Sequence, residues 1–347
     1  MSGSKSETGA LISIILPVFN GERYLDQSIQ SCLDQTYNNF ELIIVNDCST
    51  DNSLKIAESF KNFDGRIKII SNERNRKLPA SLNIGHKAAK GEFYTWTSHD
   101  NIYENNAIEK LLEGIIKHNV DIVYADLNII ESNGSLRKSI NPGDYTRLLF
   151  GNSIGAVFLY RKEVFYRNKG YDEKLHSIED YDFWLRACEH SDFYHIHQVL
   201  YNYRIHDLTL SSKLRISDSR ENRLYIQNLR RVYQQIIDNL GTANSKEFVD
   251  SFMNIHLYKS LDVLKFLKYY IDYLDFLSKV CLKMPALDFD RLKRELDIKL
   301  RSSILNNRNN QNFKVLCSIL KVRPYMILGY EKKRSFQILQ KCLFPRR

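Results

Sequence analysis

The chain has 347 residues, 43% hydrophobic and 26% charged, with a formal net charge of +9; this fits a globular protein with one large core and an appended region, and excludes a disordered or fibrous chain. The charge is uneven: residues 1–212 carry 23 Lys+Arg against 28 Asp+Glu, a net of −5, whereas residues 213–347 carry 27 against 13, a net of +14. The six cysteines, Cys32, Cys48, Cys188, Cys281, Cys317 and Cys342, show no CxxC spacing, which argues against zinc or a dense disulfide framework and for buried, reduced thiols in a cytosolic protein.

Residues 1–10 are small and polar and predict a disordered start, neither signal peptide nor folded element. Apolar runs such as Leu11 to Phe19 fall well short of the ~18 residues a membrane-spanning helix needs, so any membrane contact would be peripheral. Strands are expected at Leu11–Leu16, Glu41–Val45, Ile67–Ser71, Phe93–Thr97 and Asp121–Ala125, with helices near Glu22–Gln35, Asn52–Phe60, Ala80–Ala89 and Asn105–Lys117. That alternation predicts an α/β fold with a mainly parallel central sheet under covering helices. Asp51 and Ser53 suit a helix start, and Gly91 a stop after Lys90. A hairpin is expected from Leu127–Glu131 and Ser135–Ile140 around Asn133-Gly134.

From Ser211 onward the strand pattern ends. Arg215 to Asp238, Phe248 to Lys279, Asp288 to Leu305 and Tyr330 to Leu343 have helical character, broken at Met284-Pro285 and Arg323-Pro324. Within Ile255 to Lys268 apolar residues recur at spacings of three and four, the pattern of an amphipathic helix. Packing on the preceding part of the chain or on a second subunit is its ordinary meaning, and contact with a membrane surface the sharper one.

Four ordered blocks carry the chemistry-bearing residues. The first pairs Pro17-Val18-Phe19-Asn20 with Val45-Asn46-Asp47-Cys48-Ser49-Thr50-Asp51, placing acidic groups at the carboxyl end of a strand, where open α/β sheets bind ligands. Together they resemble the opening of family-2 glycosyltransferases, P-V-[YF]-N followed by V-D-D-G-S-x-D, with Asn46 at the first Asp, Asp47 at the second, nucleobase-facing one, and Cys48 at the Gly. Asn75 to Gly85 resembles the family's N-x-G-x-x-x-[AS]-x-N-x-G, with Lys77 at a usual Gly. Ser98-His99-Asp100-Asn101 is similar to its D-x-D-D stretch, with Ser98 and Asn101 in place of Asp. Gly170-Tyr171-Asp172-Glu173 followed by Glu179-Asp180-Tyr181-Asp182-Phe183-Trp184-Leu185-Arg186 matches G-[YF]-D-E and E-D-x-[DE]-[LF]-W-L-R, the most specific block. Downstream, Tyr203-Arg204-Ile205-His206 and Ser211 resemble Y-R-x-H-x-x-[ST]-x-S.

The resemblance implies a GT-A nucleotide-sugar-binding domain over residues 11–212, followed by a basic α-helical region, 213–347, that it does not cover. It implies an inverting enzyme in bacterial surface polysaccharide synthesis, transferring a hexosyl or N-acetylhexosaminyl group from a nucleotide sugar to a glycan or lipid-linked acceptor. UDP is the favoured carrier, with dTDP and GDP open. Asp180 is then the base beside Glu179, whose repulsion or burial would raise one of the two pKa values. Pro17, Phe19, Asn20, Glu22, Asp47, Asn83, Ser98 and His99 would hold the nucleotide sugar. Asp100, with His206, would hold Mg²⁺ or Mn²⁺, which needs only one or two carboxylates beside phosphate oxygens. Arg204 would face the diphosphate, and Gly155, Ala156 and Trp184 the acceptor.

The three adjacent residues Ser98-His99-Asp100 do not make a hydrolase relay. A weakly catalytic sugar- or nucleotide-binding module on the same fold is the alternative, motivated by Ser98 and Asn101 and opposed by Glu179-Asp180 and Trp184. The basic tail lacks zinc-finger or RNA-binding motifs, so nucleic acid is not an expected partner. An anionic membrane and a second copy of the chain remain open partners of the tail, and the expected location is the cytoplasm, at large or at the inner membrane face.

Overall fold

The computed structural model describes residues 9–207, 209, 212, 219–241, 246–257, 261–329 and 332–344. Two compact units divide them: one runs to Leu148 and from Asn152 to Asn228, and the other takes Leu149–Gly151 and the described chain from Leu229 on. The division falls later than the boundary expected at 212, because the start of the helix Arg220–Asn239 counts with the first unit, where Asn228 Nδ2 donates to His176 O. Of the start expected to be disordered, only Gly9 and Ala10 are among the described residues; both carbonyls accept hydrogen bonds, from Asn39 and Tyr37.

The first unit holds a mixed sheet of nine described strands. Strands β1 (Ile12–Val18), β2 (Phe40–Asn46), β3 (Ile67–Ser71) and β4 (Phe93–Trp96) run parallel in the order β3-β2-β1-β4. Every position of β1 and β2 is buried, as expected of parallel strands covered on both faces and written as near-continuous apolar runs. Helices α1 (Leu25–Leu33), α2 (Ser53–Phe63), α3 (Leu78–Ala88) and α4 (Ala107–His118) lie within two to three residues of their expected bounds. Helix α1 starts later than Glu22 because Tyr24 N and Leu25 N both bond to Gly21 O in a tight turn.

Beyond β4 the sheet becomes mixed. Strand β8 (Phe158–Arg161) is antiparallel to β4 and to β6 (Ile122–Ile130), and β6 pairs parallel with β9 (Phe193–Arg204). The short β5 (Ile102–Tyr103) closes the order against β9, and β7 (Leu136–Ile140) forms the expected hairpin on β6. Two expected strands, Asp121–Ala125 and Leu127–Glu131, are one: Asp126 sits within β6 and interrupts the apolar pattern, not the backbone. Strands β5 and β9 were not expected, since neither shows clean alternation. Helices α5 (Lys162–Arg167) and α6 (Glu179–Ala187) lie between β8 and β9 in the chain.

The second unit is helical. The single helix expected over Phe248–Lys279 is three, Lys246–His256, Val263–Lys268 and Tyr270–Lys283. Asp262 caps the middle one by accepting from Lys265 N, and Asn310 holds the bend, accepting from Val263 N and donating to Leu261 O. Part of the expected amphipathic stretch, 258–260, lies outside the described residues, as do the starts expected at Arg215 and Tyr330. Leu261, Val263, Phe266 and Leu267 are buried within the unit, so this stretch packs internally. Phe313–Val322 forms a helix not expected from the sequence. No described helix is long and apolar enough to cross a membrane.

Candidate active site

The carboxyl ends of β1–β4 lie side by side, and their loops carry the nucleotide-sugar residues expected from the sequence. Pro17 is paired with Val45 inside the sheet, and Phe19 exposes 43% of its surface. The 20–22 and 49–53 loops are zipped together. Asn20 N bonds to Ser49 Oγ, Gly21 N to Ser53 Oγ and Glu22 N to Asp51 Oδ2, while Asn20 Oδ1 accepts from Thr50 N and Glu22 Oε2 from Asn52 N. The side-chain oxygens of Asn20 and Glu22 thus brace this loop pair.

Asp47 is buried at the end of β2. It accepts from Asn72 Nδ2 (2.8 Å), Arg76 N (2.7 Å) and Lys77 N (2.9 Å), and so orders the loop after β3. Lys77, at a position where the family pattern has glycine, has φ 72° and ψ 165°, and Cys48, at another, has φ 61°. The Lys77 geometry is essentially glycine-only and costs a side-chain-bearing residue about 1–3 kcal/mol. Lys77→Gly is therefore expected to stabilise the first unit by about 1 kcal/mol after the entropy glycine adds to the unfolded chain, read as a higher melting temperature. Asn83 faces Tyr171 instead of open space: its Nδ2 donates to Tyr171 O and its Oδ1 accepts from Tyr171 N, tying α3 to the loop before α6.

After β4, Ser98 O accepts from Ser28 Oγ, and His99 packs so closely on Gly21 that a Cβ there would lie 2.5 Å from His99 Cδ2. Burial, the largest cause, lowers the His99 pKa, partly offset by the Asp100 charge. Asp100 Oδ2 meets His206 Nε2 at 3.1 Å, both side chains largely buried, which brings together the two residues expected at the cation. Asn101, buried, accepts from Arg204 N. Arg204 is 2% exposed: Nε donates to Asp100 O, Nη1 to Ser132 O and Nη2 to Gln27 Oε1, and its guanidinium lies 4.5 Å from the Tyr24 ring centre. Three of its five N–H donors thus go to protein acceptors, and Arg204 braces the Asp100 loop.

Glu179 and Asp180 open α6, where the helix dipole favours negative charge. Asp180 is half-buried and accepts from Asn152 Nδ2 (2.8 Å) and Tyr181 N (2.7 Å). Glu179 is buried, and its Oε2 has no hydrogen-bond partner. Burial, then the adjacent Asp180 charge, pushes the Glu179 carboxyl up to about 8; burial also raises Asp180, against the hydrogen bonds from Tyr181 and Asn152. Burial thus works against ionisation of both members of the pair. Between the ordinary 4.5 and about 8 the folded chain holds a proton at Glu179 that the unfolded chain has lost, so this residue lowers stability as pH rises through that window. Glu179→Gln is expected to melt like wild type below pH 4.5 and progressively above it up to about pH 8, read by thermal melts across pH.

Trp184, expected on the acceptor side, is fully buried. It packs edge-on to Phe158 (4.7 Å), Tyr160 (5.9 Å) and Phe183 (5.1 Å) in an aromatic cluster that also takes in Tyr171 and His86, and Trp96 Nε1 donates to Tyr171 OH. Its bulk fixes α6 from beneath. Gly155 has φ 76°, and Ala156 packs partly buried on the core ahead of β8. Asn152, Gln27, Ser132 and Asn72, which hold Asp180, Arg204 and Asp47, belong to no sequence block and had no signal that could have found them. The described cysteines are free; Cys32, Cys188 and Cys342 are buried, but Cys317 is exposed.

Residues 13–176 match the family model described as Glycosyl transferase family 2. An uncharacterized glycosyltransferase of Rickettsia typhi is 35% identical over 209 residues, 57% of this chain and 64% of that protein, so the match spans just under two thirds of that relative's length. An uncharacterized glycosyltransferase of Haemophilus influenzae is 30% identical over 215 residues, covering 60% of this chain and 83% of that protein. Among solved structures, S. aureus TarS 1–349 in complex with UDP-GlcNAc shares the fold with a TM-score of 0.57 over 92% of each chain, at 19% identity. Strand ends that carry Asp47 and Asp100, a helix that starts on Glu179-Asp180, the GT-A fold and these matches lead to one conclusion: the chain belongs to glycosyl transferase family 2.

Proposed function

We propose that the chain is an inverting glycosyltransferase that moves a hexosyl or N-acetylhexosaminyl group from a nucleotide sugar, UDP-linked by preference, to a hydroxyl of a glycan or lipid-linked acceptor in surface polysaccharide synthesis. The observation that carries this reading is the carboxyl pair at the start of α6, buried Glu179 beside Asp180, whose carboxylate accepts from Asn152 Nδ2. Asp180 takes the acceptor proton as the acceptor oxygen attacks the anomeric carbon from the face opposite the nucleotide. Phe19 and the 72–77 loop ordered by Asp47 flank the base and ribose. Asp100 and His206 suit a hard cation that also takes phosphate oxygens and water, and would hold Mg²⁺ or Mn²⁺ there; such an ion supplies charge stabilisation to a leaving diphosphate. The UDP-GlcNAc bound by TarS supports the UDP preference.

The deciding experiment is a thermal-shift panel of nucleotide sugars with and without Mn²⁺, followed by a transfer assay that reads the anomeric configuration of the product. Stabilisation by a nucleotide sugar, with slow hydrolysis or transfer, supports the enzyme; no stabilisation by any of them overturns it. Binding without turnover supports the second reading, a weakly catalytic module, which Ser98 and Asn101 in the D-x-D-D stretch favour.

Docking of the basic region on an anionic bilayer at the cytoplasmic face extends the proposal. Phe313 (63% exposed), Phe336 (66%) and Phe344 (75%) stand in or beside the helices Phe313–Val322 and Lys332–Leu343, among the exposed Lys314, Lys321, Lys332 and Lys333. Each cationic side chain near such a surface contributes about 1 kcal/mol at low screening. Flotation with anionic vesicles, lost on neutral vesicles and weakened by salt, is the expected result. Failure to float at low salt, with self-association in its place, assigns the surface to a second copy of the chain.

A further inference from the structure

A second cluster of metal-ligating side chains lies on the β6–β9 pair, apart from the residues discussed above. Asp126 of β6 and His195 and His197 of β9 each offer a ligand atom, and these atoms all lie within 4.8 Å of one another. His195 and His197 are two apart on one strand, and so project to one face; their rings are 4.2 Å apart. His195 Nε2 lies 2.8 Å from Asp126 Oδ1, and the Tyr124 ring stacks on the His195 ring at 4.6 Å with an interplanar angle of 2°, fixing its orientation. His197 is exposed, which leaves the cluster open on one side.

The backbone is built around these residues. The β6–β9 ladder runs in register to Ala125↔Ile196 and then jumps to Asp126↔Val199, so His197 and Gln198 form an irregularity in β9 opposite Asp126. Bulges of this kind re-aim side chains and interrupt backbone pairing. Tyr124 OH, in turn, donates to Gly143 O and accepts from Tyr145 N, so the support beneath His195 is itself anchored.

We propose that Asp126, His195 and His197 bind a divalent cation of the zinc class. Two imidazoles and one carboxylate suit Zn²⁺ or Co²⁺ far better than Mg²⁺, and three protein ligands leave a coordination position for water. The site is distinct from the Asp100–His206 pair. His197 and Arg204 are separated by seven residues of β9, roughly 20 Å at the rise of an extended strand. The ion would clasp β6 to β9 where the ladder is interrupted, so its first effect is on the stability of the sheet. Ligand protons must leave for the ion to bind, so affinity falls as pH drops.

The test uses untagged full-length protein, stripped of metal and free of nucleotide, titrated with Co²⁺ and then Zn²⁺. Expected are visible ligand-field absorption saturating at one equivalent of Co²⁺, displacement by Zn²⁺, and a higher melting temperature with Zn²⁺. His197→Ala, at an exposed position, and Asp126→Asn, which keeps a hydrogen-bonding oxygen for His195, should each weaken the ion by about tenfold or more. Asp100→Ala should leave it unchanged. Absence of the cobalt spectrum, a spectrum indifferent to His197→Ala, or one lost in Asp100→Ala overturns the proposal. Should Asp126→Asn fail to fold, His197→Ala decides alone.

Discussion

Asp180→Asn is expected to lower transfer by about 10²- to 10⁴-fold while leaving donor affinity within a few-fold, because a general base acts on the acceptor proton and not on nucleotide binding. The substitution changes little else. An amide oxygen can still accept from Asn152 Nδ2 or Tyr181 N, and the loss of one charge beside Glu179 removes a cause of that residue's raised pKa. The variant should therefore fold, bind donor and fail to turn over. Steady-state kinetics with separate donor binding by calorimetry provides the check. Retention of most of the wild-type kcat would remove Asp180 from the mechanism and turn attention to Glu179.

The second large effect separates a ligand from the residue that positions it. Asp100→Ala is expected to abolish cation-dependent donor binding with a small change in stability, since the contact it removes is the one to His206 Nε2. Arg204→Met should remove the same cation dependence and also destabilise the first unit by about 3 kcal/mol, because it leaves three acceptors, Asp100 O, Ser132 O and Gln27 Oε1, without their charged donor. Donor titrations with Mn²⁺ or EDTA, paired with denaturant melts, distinguish the two. Full activity of wild type in excess EDTA would dismiss the cation from Asp100, and an unshifted melt for Arg204→Met would show that its hydrogen bonds carry no net stability.

Asp47, Asp100 and Glu179-Asp180 are singled out by resemblance to the family's ordered blocks, and each lies just past a strand end or at a helix start. Their partners cannot be. Asn152 reaches Asp180 across 28 residues, Arg204 reaches Ser132 across 72 and Gln27 across 177, and such contacts exist only once the sheet is assembled. Strand β9 was illegible for a related reason: an irregular register against β6 erases the alternation by which a strand is recognised. Trp184 shows a different limit. A tryptophan can offer its face to a sugar or fill a core, and only its burial settles which. At Lys77 and Cys48 the departure from glycine was visible, but the positive φ that makes it costly was not.

The aromatic cluster around α6 also gives the molecule an internal optical reporter. The chain has two tryptophans, and both, Trp96 and Trp184, lie in the first unit, joined through Tyr171 and Phe158. The aromatic core of the second unit, Phe248, Phe252, Phe266, Tyr273 and Phe276, contains none. Emission excited selectively at tryptophan therefore follows the first unit alone, whereas far-ultraviolet dichroism is weighted toward the helices of both. Divergence of the two signals on heating would resolve the units as separate melting steps, and a donor that shifts only the emission midpoint would be acting on the first.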